Sequence, residues 1–299
     1  MIFFYSDTFD LNLPDGHRFP GRKYGMLRKR LLDEGVLREA QLRLSPAAAR
    51  KDILRAHDAA YVGAIETGRI DPAAMRRIGF PWSLSLVERT KATIGGAIAA
   101  AEHALEHGLS GQLAGGTHHA HRDFGSGYCV FNDFAVAALR LLAEGRVRRI
   151  AIIDLDVHQG DGNAAILTPH PDVFVLSIHG AKNFPFRKPP SDLDVGLPDG
   201  VEDEAYLKAL QEALPAAFDF KPDLILYQAG VDPLKEDRLG RFALTYDGLM
   251  KRDRIVLETA CAKGVPVSMA IGGGYADPID ASVRAYANTY RVAKAIYAF

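Results

Sequence analysis

The sequence predicts an α/β protein whose central sheet is mostly parallel and is covered by helices on both faces. Short, almost continuously apolar runs recur along the chain, and longer helix-like stretches lie between them. Strands that are buried on both faces are uniformly apolar, whereas the helices that cover them are amphipathic. No internal repeat and no Gly/Ser linker divides the chain, so residues 1–299 are predicted to form a single domain.

The individual elements follow from composition and periodicity. Short runs rich in β-branched and aromatic residues predict strands at residues 2–5, 150–155, 173–178, 224–227 and 265–271. Ala/Leu-rich or amphipathic stretches predict helices at residues 84–107, 131–143, 202–217, 249–263 and 281–299. Residues 179–200 contain several prolines and aspartates and are long for a connection, so we expect a loop there that forms a wall of a functional site.

Composition limits the possible classes of protein. Hydrophobic residues make up 48% of the chain, enough for a sizeable core, and the net charge of -1 gives no overall field that would attract nucleic acid or an anionic membrane. Two cysteines, Cys129 and Cys261, cannot form a disulfide framework. No apolar run approaches the ~20 residues that span a bilayer, and the first residues lack the basic region of a signal peptide. We therefore expect a cytoplasmic protein that contacts neither nucleic acid nor membrane directly.

The strongest functional signal is the end of the predicted strand at residues 150–155. Alternate residues of a strand point to the same side, so Asp154, Asp156 and His158 are expected to share one face. Carboxylates and an imidazole on a buried face need a compensating partner, and a divalent metal such as zinc suits these donors. The alternative is a solvated strand end, which accounts less well for so many metal-binding residue types at alternating positions.

Other polar groups follow predicted strands in the same way. Asp232 follows the strand at 224–227, Tyr275 follows three glycines after the strand at 265–271, and His118 and His119 follow a short segment near Gln112. Ligands of parallel α/β sheets bind beyond the carboxyl ends of the strands, so these groups are expected at one rim. Taken alone, Asp232 before a proline could be an ordinary turn residue.

Together, Asp156, His158 and Asp232 would form a three-ligand set with one open position, which is typical of catalytic rather than structural zinc. Asp154 and Asp161 are then available to orient the imidazoles of His118 and His119.

Two further side chains, His121 and Tyr275, lie near this predicted ligand set in the sequence pattern. His121 has no assigned carboxylate and is expected to be a solvated loop residue. The Tyr275 hydroxyl could donate to a developing oxyanion, although a half-buried rim aromatic is an equally simple interpretation.

In order and spacing these motifs resemble the histone deacetylase family, which has the arginase/deacetylase-like fold, and they are most similar to its class IV branch and bacterial relatives. The resemblance rests on residues 56–61, 118–119, 126–133, 154–162, 230–232, 237–240 and 272–275.

The resemblance implies an amidohydrolase with one zinc ion, bound by Asp156, His158 and Asp232, that removes an acetyl or longer acyl group from a lysine side chain or similar amine. His119, paired with Asp161, would be the general base and then the general acid, and His118, paired with Asp154, would support it. Tyr275 would bind the substrate carbonyl. A structural potassium ion would involve Asp154 and Ser177, and the substrate channel would be lined by Gly127, Tyr128, Phe184, Phe186, Leu239 and Gly273.

The chain departs from related patterns at several positions. Tyr128 stands where the family has a channel phenylalanine, either Phe184 or Phe186 could be the opposing aromatic, and Gln159 replaces a second histidine. Arginases of the same fold bind two manganese ions, but here Gly160 and Leu234 occupy positions that would supply the second ion.

Leu239 occupies the position of an acidic residue found in family members that act on acetylated polyamines. A deacetylase of acetylpolyamines or another small amide is one alternative function. A non-catalytic acyl-lysine-binding module is another, although every expected catalytic position is filled.

Overall fold

The computed structural model describes residues 1–9, 11, 13–14 and 16–299. Eight strands are found in these residues: β1 (Phe3–Tyr5), β2 (Leu42–Leu44), β3 (Leu109–Gln112), β4 (Ile150–Asp154), β5 (Val173–Gly180), β6 (Leu193–Leu197), β7 (Leu224–Gln228) and β8 (Val267–Ala270). The same residues form ten α-helices: α1 (Lys23–Asp33), α2 (Arg50–Ala56), α3 (Ala59–Thr67), α4 (Pro72–Ile78), α5 (Leu84–His107), α6 (Asp133–Ala143), α7 (Asp161–Leu167), α8 (Asp203–Asp219), α9 (Tyr246–Ala262) and α10 (Asp280–Tyr297).

The strands form one sheet in the order β2-β1-β3-β8-β7-β4-β5-β6. Every pairing between neighbouring strands is parallel. Helix α5 packs against β1, β3, β7 and β8, and α8 packs against β4, β5 and β6. The predicted α/β class with a mostly parallel sheet is therefore confirmed. That residues 1–299 form a single domain stays a prediction.

The strand order explains why distant parts of the sequence meet. Strands β3, β8, β7 and β4 are consecutive neighbours in the sheet, and the four predicted polar segments follow these four strands. Their residues are almost fully buried, so the sheet is a rigid base for the loops at its carboxyl edge. The prediction that four strand ends supply one rim is confirmed.

Several short elements escape prediction. Helices α1 to α4 and α7 and strands β2, β3 and β6 are not among the predicted elements. These segments of 3 to 11 residues contain few periods of a hydrophobic pattern. The expectation of a continuous loop at residues 179–200 is wrong, since β6 lies within it. In β6 half-buried Leu193, Val195 and Leu197 alternate with exposed residues, the pattern of a strand at the edge of a sheet.

The search for membrane-spanning segments covered the described residues. Among them, no helix combines the length and the apolar character that crossing a bilayer requires. Cytoplasmic localisation stays a prediction.

Candidate active site

A buried group of three side chains lies at the carboxyl edge of the sheet. Asp156 and His158 follow β4, and Asp232 follows β7, the neighbouring strand. Each offers one ligand atom, and these atoms lie within 4.8 Å of one another. His158 Nδ1 is 3.1 Å from Asp156 Oδ1 and 3.0 Å from Asp232 Oδ2. The structure therefore brings the three predicted metal ligands together.

The prediction that Asp154, Asp156 and His158 share one face of a strand is wrong beyond Asp154, because β4 ends at that residue. A turn places the next two side chains instead. The backbone N–H of Asp156 donates to Asp154 Oδ1 (3.2 Å), and that of His158 donates to Asp156 Oδ1 (3.0 Å). Each carboxylate thus fixes the backbone of the residue two positions later, which is a common behaviour of aspartate in turns.

Backbone N–H groups of the loops that follow β8 and β4 hold both carboxylates. Gly273 N–H donates to Asp156 Oδ2 (2.7 Å), and Val157 N–H donates to Asp232 Oδ1 (2.9 Å). A Cβ atom at Gly273 would lie 2.0 Å from Asp232 Oδ2, so no other residue fits beside the two carboxylates without a shift.

Fully buried Arg252 fastens the two ligand-bearing loops to each other. Its Nη1 donates to the carbonyl of Leu155 and to that of Gly230, just before Asp156 and Asp232 respectively.

The electrostatics of the three groups favour a bound cation. Burial and the negative charge of Asp156 together raise the pKa of Asp232 to about 7, although His158 acts against this shift. Burial lowers the pKa of His158, but its contacts with Asp156 and Asp232 outweigh this and raise it to about 10. Two buried carboxylates and one imidazole carry excess negative charge, and their oxygen and nitrogen donors fit zinc or a similar divalent ion.

Two histidine–aspartate pairs lie beside this group. His118 Nδ1 is 2.8 Å from Asp154 Oδ2, and His119 Nδ1 is 2.6 Å from Asp161 Oδ1. The loop before them is held by buried Asp133, which accepts hydrogen bonds from Gly116 N–H (2.8 Å) and from the N–H of the next residue, Thr117 (2.9 Å).

The two imidazoles have opposite protonation tendencies. Burial lowers the pKa of His118, but Asp154 and Asp156 outweigh this effect and raise it to about 9. Burial lowers the pKa of His119 to about 4, and the neighbouring charge of His118 acts in the same direction, against the effect of Asp161. His119 is thus the imidazole that is held neutral.

The expectation that His121 is a solvated loop residue is wrong. Its Nε2 lies 2.9 Å from Asp161 Oδ2, and its side chain is only 16% exposed. Asp161 therefore contacts two imidazoles, one with each oxygen, and these contacts hold its pKa well below the usual range despite burial. The spacing of His119 and His121 could have predicted this contact, since residues two apart in an extended loop can face the same carboxylate.

The backbone of Tyr275 is held by the carboxylate of Asp237. Its backbone N–H donates to Asp237 Oδ2, and the same carboxylate accepts hydrogen bonds from the backbone of Leu239 (2.8 Å) and Gly240 (2.9 Å). Burial raises the pKa of the Tyr275 hydroxyl, so the phenol stays protonated and can donate a hydrogen bond.

Lys23 is a buried residue of this site that the sequence analysis missed. Its Nζ lies 4.7 Å from the centroid of the Tyr275 ring and donates to Gly274 O (3.1 Å) and to the Tyr286 hydroxyl (3.1 Å). Burial lowers its pKa to about 8, although Asp232, Asp237 and Asp156 oppose this effect. A single lysine in a basic N-terminal stretch has no sequence pattern that would predict its burial beside Tyr275.

The metal-site residues lie in a cavity of about 530 Å³ that opens to solvent. All six of the predicted channel residues line it: Gly127, Tyr128, Phe184, Phe186, Leu239 and Gly273. The Phe184 ring lies 4.9 Å from the ring of His119, and a Cβ at Gly127 would lie 3.2 Å from Phe184. Phe186 is 85% exposed. Phe184 therefore faces Gly127 inside the channel, and Phe186 lies at its mouth.

The positions proposed for potassium are close together in the sheet. Asp154 and Ser177 are paired in the register of β4 and β5, but Ser177 Oγ is 3.0 Å from His179 Nδ1. Potassium binding stays a prediction.

Gln159 ties the site to β6 and to the segment before it. Its Nε2 donates to Pro189 O (2.8 Å) and to Asp194 Oδ1 (2.8 Å).

Comparison with known proteins places this geometry in a family. The histone deacetylase domain matches residues 17–291. The chain is 44% identical over 294 residues to an uncharacterized protein of Picosynechococcus sp., covering 98% of each chain. It is 31% identical over 288 residues to histone deacetylase 2 of Arabidopsis thaliana, covering 91% of this chain and 73% of that one.

Structural comparison agrees with the sequence comparisons. The crystal structure of an HDAC homolog complexed with SAHA superposes with a TM-score of 0.84 at 26% identity, covering 100% of this chain and 84% of the other. The chain therefore belongs to the histone deacetylase family, and the family resemblance is confirmed. Its membership of the class IV branch stays a prediction.

Proposed function

We propose that this chain is a zinc-dependent amidohydrolase that removes an acyl group from a lysine side chain or a similar amine. The observation that carries the proposal is the convergence of Asp156, His158 and Asp232 in one cavity with His119 and Tyr275. These are the donor types that a hydrolytic metal site requires: three ligands, a proton-transfer group and an oxyanion donor.

The metal would be held by Asp156, His158 and Asp232, and when bound it supplies a Lewis acid that activates water and polarises the amide carbonyl. The residues around it have separate tasks. Tyr275, kept protonated by burial, donates a hydrogen bond to the carbonyl oxygen as negative charge develops there. Asp237 and Lys23 position the tyrosine through its backbone N–H and its ring.

Proton transfer is assigned to His119 on geometric grounds. Asp161 fixes its Nδ1 side, so its other nitrogen is free to take a proton from water and to give it to the leaving amine. Its ring also contacts Phe184, which faces the channel. His118 is held by Asp154, and its Nε2 lies 3.9 Å from Asp156 Oδ1. It would act as a supporting group beside the metal carboxylates.

The channel supports a linear acylated amine as substrate. Tyr128 and Phe184 line it with aromatic surface that suits the apolar arm of a lysine side chain. Leu239 at the wall offers no charge that could pair with a second ammonium group, which favours acyl-lysine over an acetylated polyamine.

Turnover of defined substrates tests the proposal. Purified protein would be assayed with peptides that carry lysine acylated with groups of increasing length, and with acetylated polyamines in parallel. We expect hydrolysis of at least one acyl-lysine peptide and slower hydrolysis of the polyamines. Binding of acyl-lysine peptides without release of the amine would instead identify a binding module, and preference for polyamines would reverse the substrate assignment.

A further inference from the structure

The cavity that contains the metal-site residues also extends to side chains that the proposed hydrolysis does not use. We call this part of the cavity the inner lobe, and it is lined from α1 and α5 by Tyr24, Leu86, Arg89, Thr90 and Thr93. Each of these residues is at most 9% exposed. The inner lobe thus lies in the protein interior, whereas Phe186 and Arg76 line the exposed end of the same cavity.

Arg89 differs from the other buried cations of the described chain. Arg252 pairs with Asp253 at 2.7 Å, and Lys23 donates to a carbonyl and a hydroxyl. Arg89 is 8% exposed, and its contact is with Tyr24, whose ring centroid lies 4.4 Å from Cζ. Within the residues that the structure describes, no carboxylate forms an ion pair with Arg89.

A buried guanidinium without an anion is costly, because the lost hydration is not replaced by a paired charge. Its planar fork of N–H donors matches the two oxygens of a carboxylate. The hydroxyl of Thr93 is already committed to the Arg89 backbone carbonyl at 3.1 Å, which holds this turn of α5 in place. The inner lobe therefore presents a buried guanidinium that forms no ion pair with a carboxylate of the described residues, and a guanidinium is the donor type that binds carboxylates.

The inner lobe belongs to the same cavity as Tyr275, and Lys23 packs between the rings of Tyr275 and Tyr24. Lys23 Nζ lies 4.7 Å from the ring centroid of Tyr275 and 5.4 Å from that of Tyr24, and Arg89 lies against Tyr24. Arg89 also borders a second cavity, formed largely by the N-terminal segment, so it stands in the far wall of the inner lobe. A cavity of about 530 Å³ is typical of sites for drug-sized ligands and leaves space beyond an acetyl group.

We propose that the inner lobe binds the terminal carboxylate of a dicarboxylic acyl group through Arg89, so that the substrate class is succinyl-lysine or a similar acylated amine. This inference rests on the proposed amidohydrolase function and specifies its acyl group. Hydrolysis would break the amide C–N bond and form a C–O bond with water. The products are a dicarboxylic acid and the free amine, and no oxidant or reductant is needed.

Two substrates isolate the terminal carboxylate. Butyryl-lysine and succinyl-lysine both carry four-carbon acyl groups. The butyryl group ends in a methyl, and the succinyl group ends in a carboxylate. In one peptide sequence, we expect the wild-type protein to have a higher kcat/KM for succinyl than for butyryl. Arg89→Met should lower the succinyl-to-butyryl ratio by roughly 10- to 100-fold, the usual effect of removing the charged partner of a buried group. Arg89→Lys should retain part of the preference.

A matched control is Arg43→Met, because Arg43 is exposed on β2 and its hydrogen bonds within the described residues go to the carbonyls of Ala40 and Leu42. It should leave the ratio unchanged. A wild-type preference for butyryl would overturn the inference without any variant, even if Arg89→Met failed to fold. Folded Arg89→Met could instead keep the wild-type succinyl-to-butyryl ratio of kcat/KM and change only in its inhibition by free succinate. That result would show that Arg89 binds the released product and not the acyl group of the substrate, and it would also overturn the inference. Hydrolysis of acetyl-lysine in either case would leave the proposed function intact.

Discussion

His119 and Asp161 are joined by a 2.6 Å contact between Nδ1 and Oδ1, and the other oxygen of the same carboxylate lies 2.9 Å from His121 Nε2. One aspartate at the start of α7 thus fixes two imidazoles of the loop after β3. The corresponding contact of His118, with Asp154, uses a carboxylate at the end of β4 that also accepts the Asp156 N–H. The two histidines are therefore held by different parts of the fold.

This difference predicts unequal effects of removing the two imidazoles. His119→Ala should reduce kcat more than His118→Ala, because His119 is the assigned proton-transfer group, and both variants should retain the metal. Steady-state kinetics with an acyl-lysine peptide, together with pH–rate profiles, would check this. An equal loss, or a larger loss for His118→Ala, would contradict the division of roles but not the hydrolase assignment.

Tyr275→Phe separates catalysis from metal binding, because it deletes one hydroxyl and no metal ligand. We expect unchanged metal content and a fall in kcat of roughly two to three orders of magnitude, the usual effect of losing an oxyanion donor. Kinetics and elemental analysis on the same preparation measure both quantities. Undiminished turnover would mean that the hydroxyl has no catalytic role.

Buried His57 should make stability depend on pH. It is 1% exposed, and its two nitrogens contact His121 O (2.9 Å) and the N–H of Asn132 (2.8 Å), an arrangement that needs the neutral ring. Burial lowers its pKa from 6.5 to about 4. Between these values the unfolded chain binds more protons than the folded chain, so acidification through this window favours unfolding.

Comparison of wild-type protein with His57→Gln isolates this contribution. The free energy of unfolding of the wild type should fall more steeply between pH 6.5 and pH 4, by up to about 1.4 kcal/mol for each pH unit, than that of the variant. Denaturant titrations at several pH values would measure the two slopes. Parallel slopes would show that His57 is not held neutral in the folded state.

The sequence predicts best those elements that have a long pattern and clear ends. Helix α5 begins and ends at the predicted residues 84 and 107. Ser83 Oγ caps its first turn by accepting from Leu86 N–H (3.0 Å), and Gly108 follows its last residue with a φ of +83°, which favours glycine. By contrast, β6 contains Asp194 and Gly196, residues that are uncommon in strands, and is fixed by pairing with β5.

The same distinction applies to the site. Asp156, His158 and Asp232 follow strands that the sequence reveals, so their convergence can be predicted from parallel-sheet geometry. Lys23 donates to Gly274, 251 residues away, and Arg89 reaches the cavity from the second turn of α5. Tertiary packing alone brings these two cations to the site, and neither belongs to a local motif.

Metal content measured together with activity tests the proposed chemistry most directly. Purified protein should carry one transition-metal ion per chain, and Asp156→Ala or Asp232→Ala should lose both metal and turnover, because two remaining ligands hold zinc poorly. Asp247→Ala, at an exposed aspartate paired with Lys251, is the control that should lose neither. Two manganese ions per active site, or full turnover in a metal-free Asp232→Ala protein, would contradict a single catalytic metal bound by Asp156, His158 and Asp232.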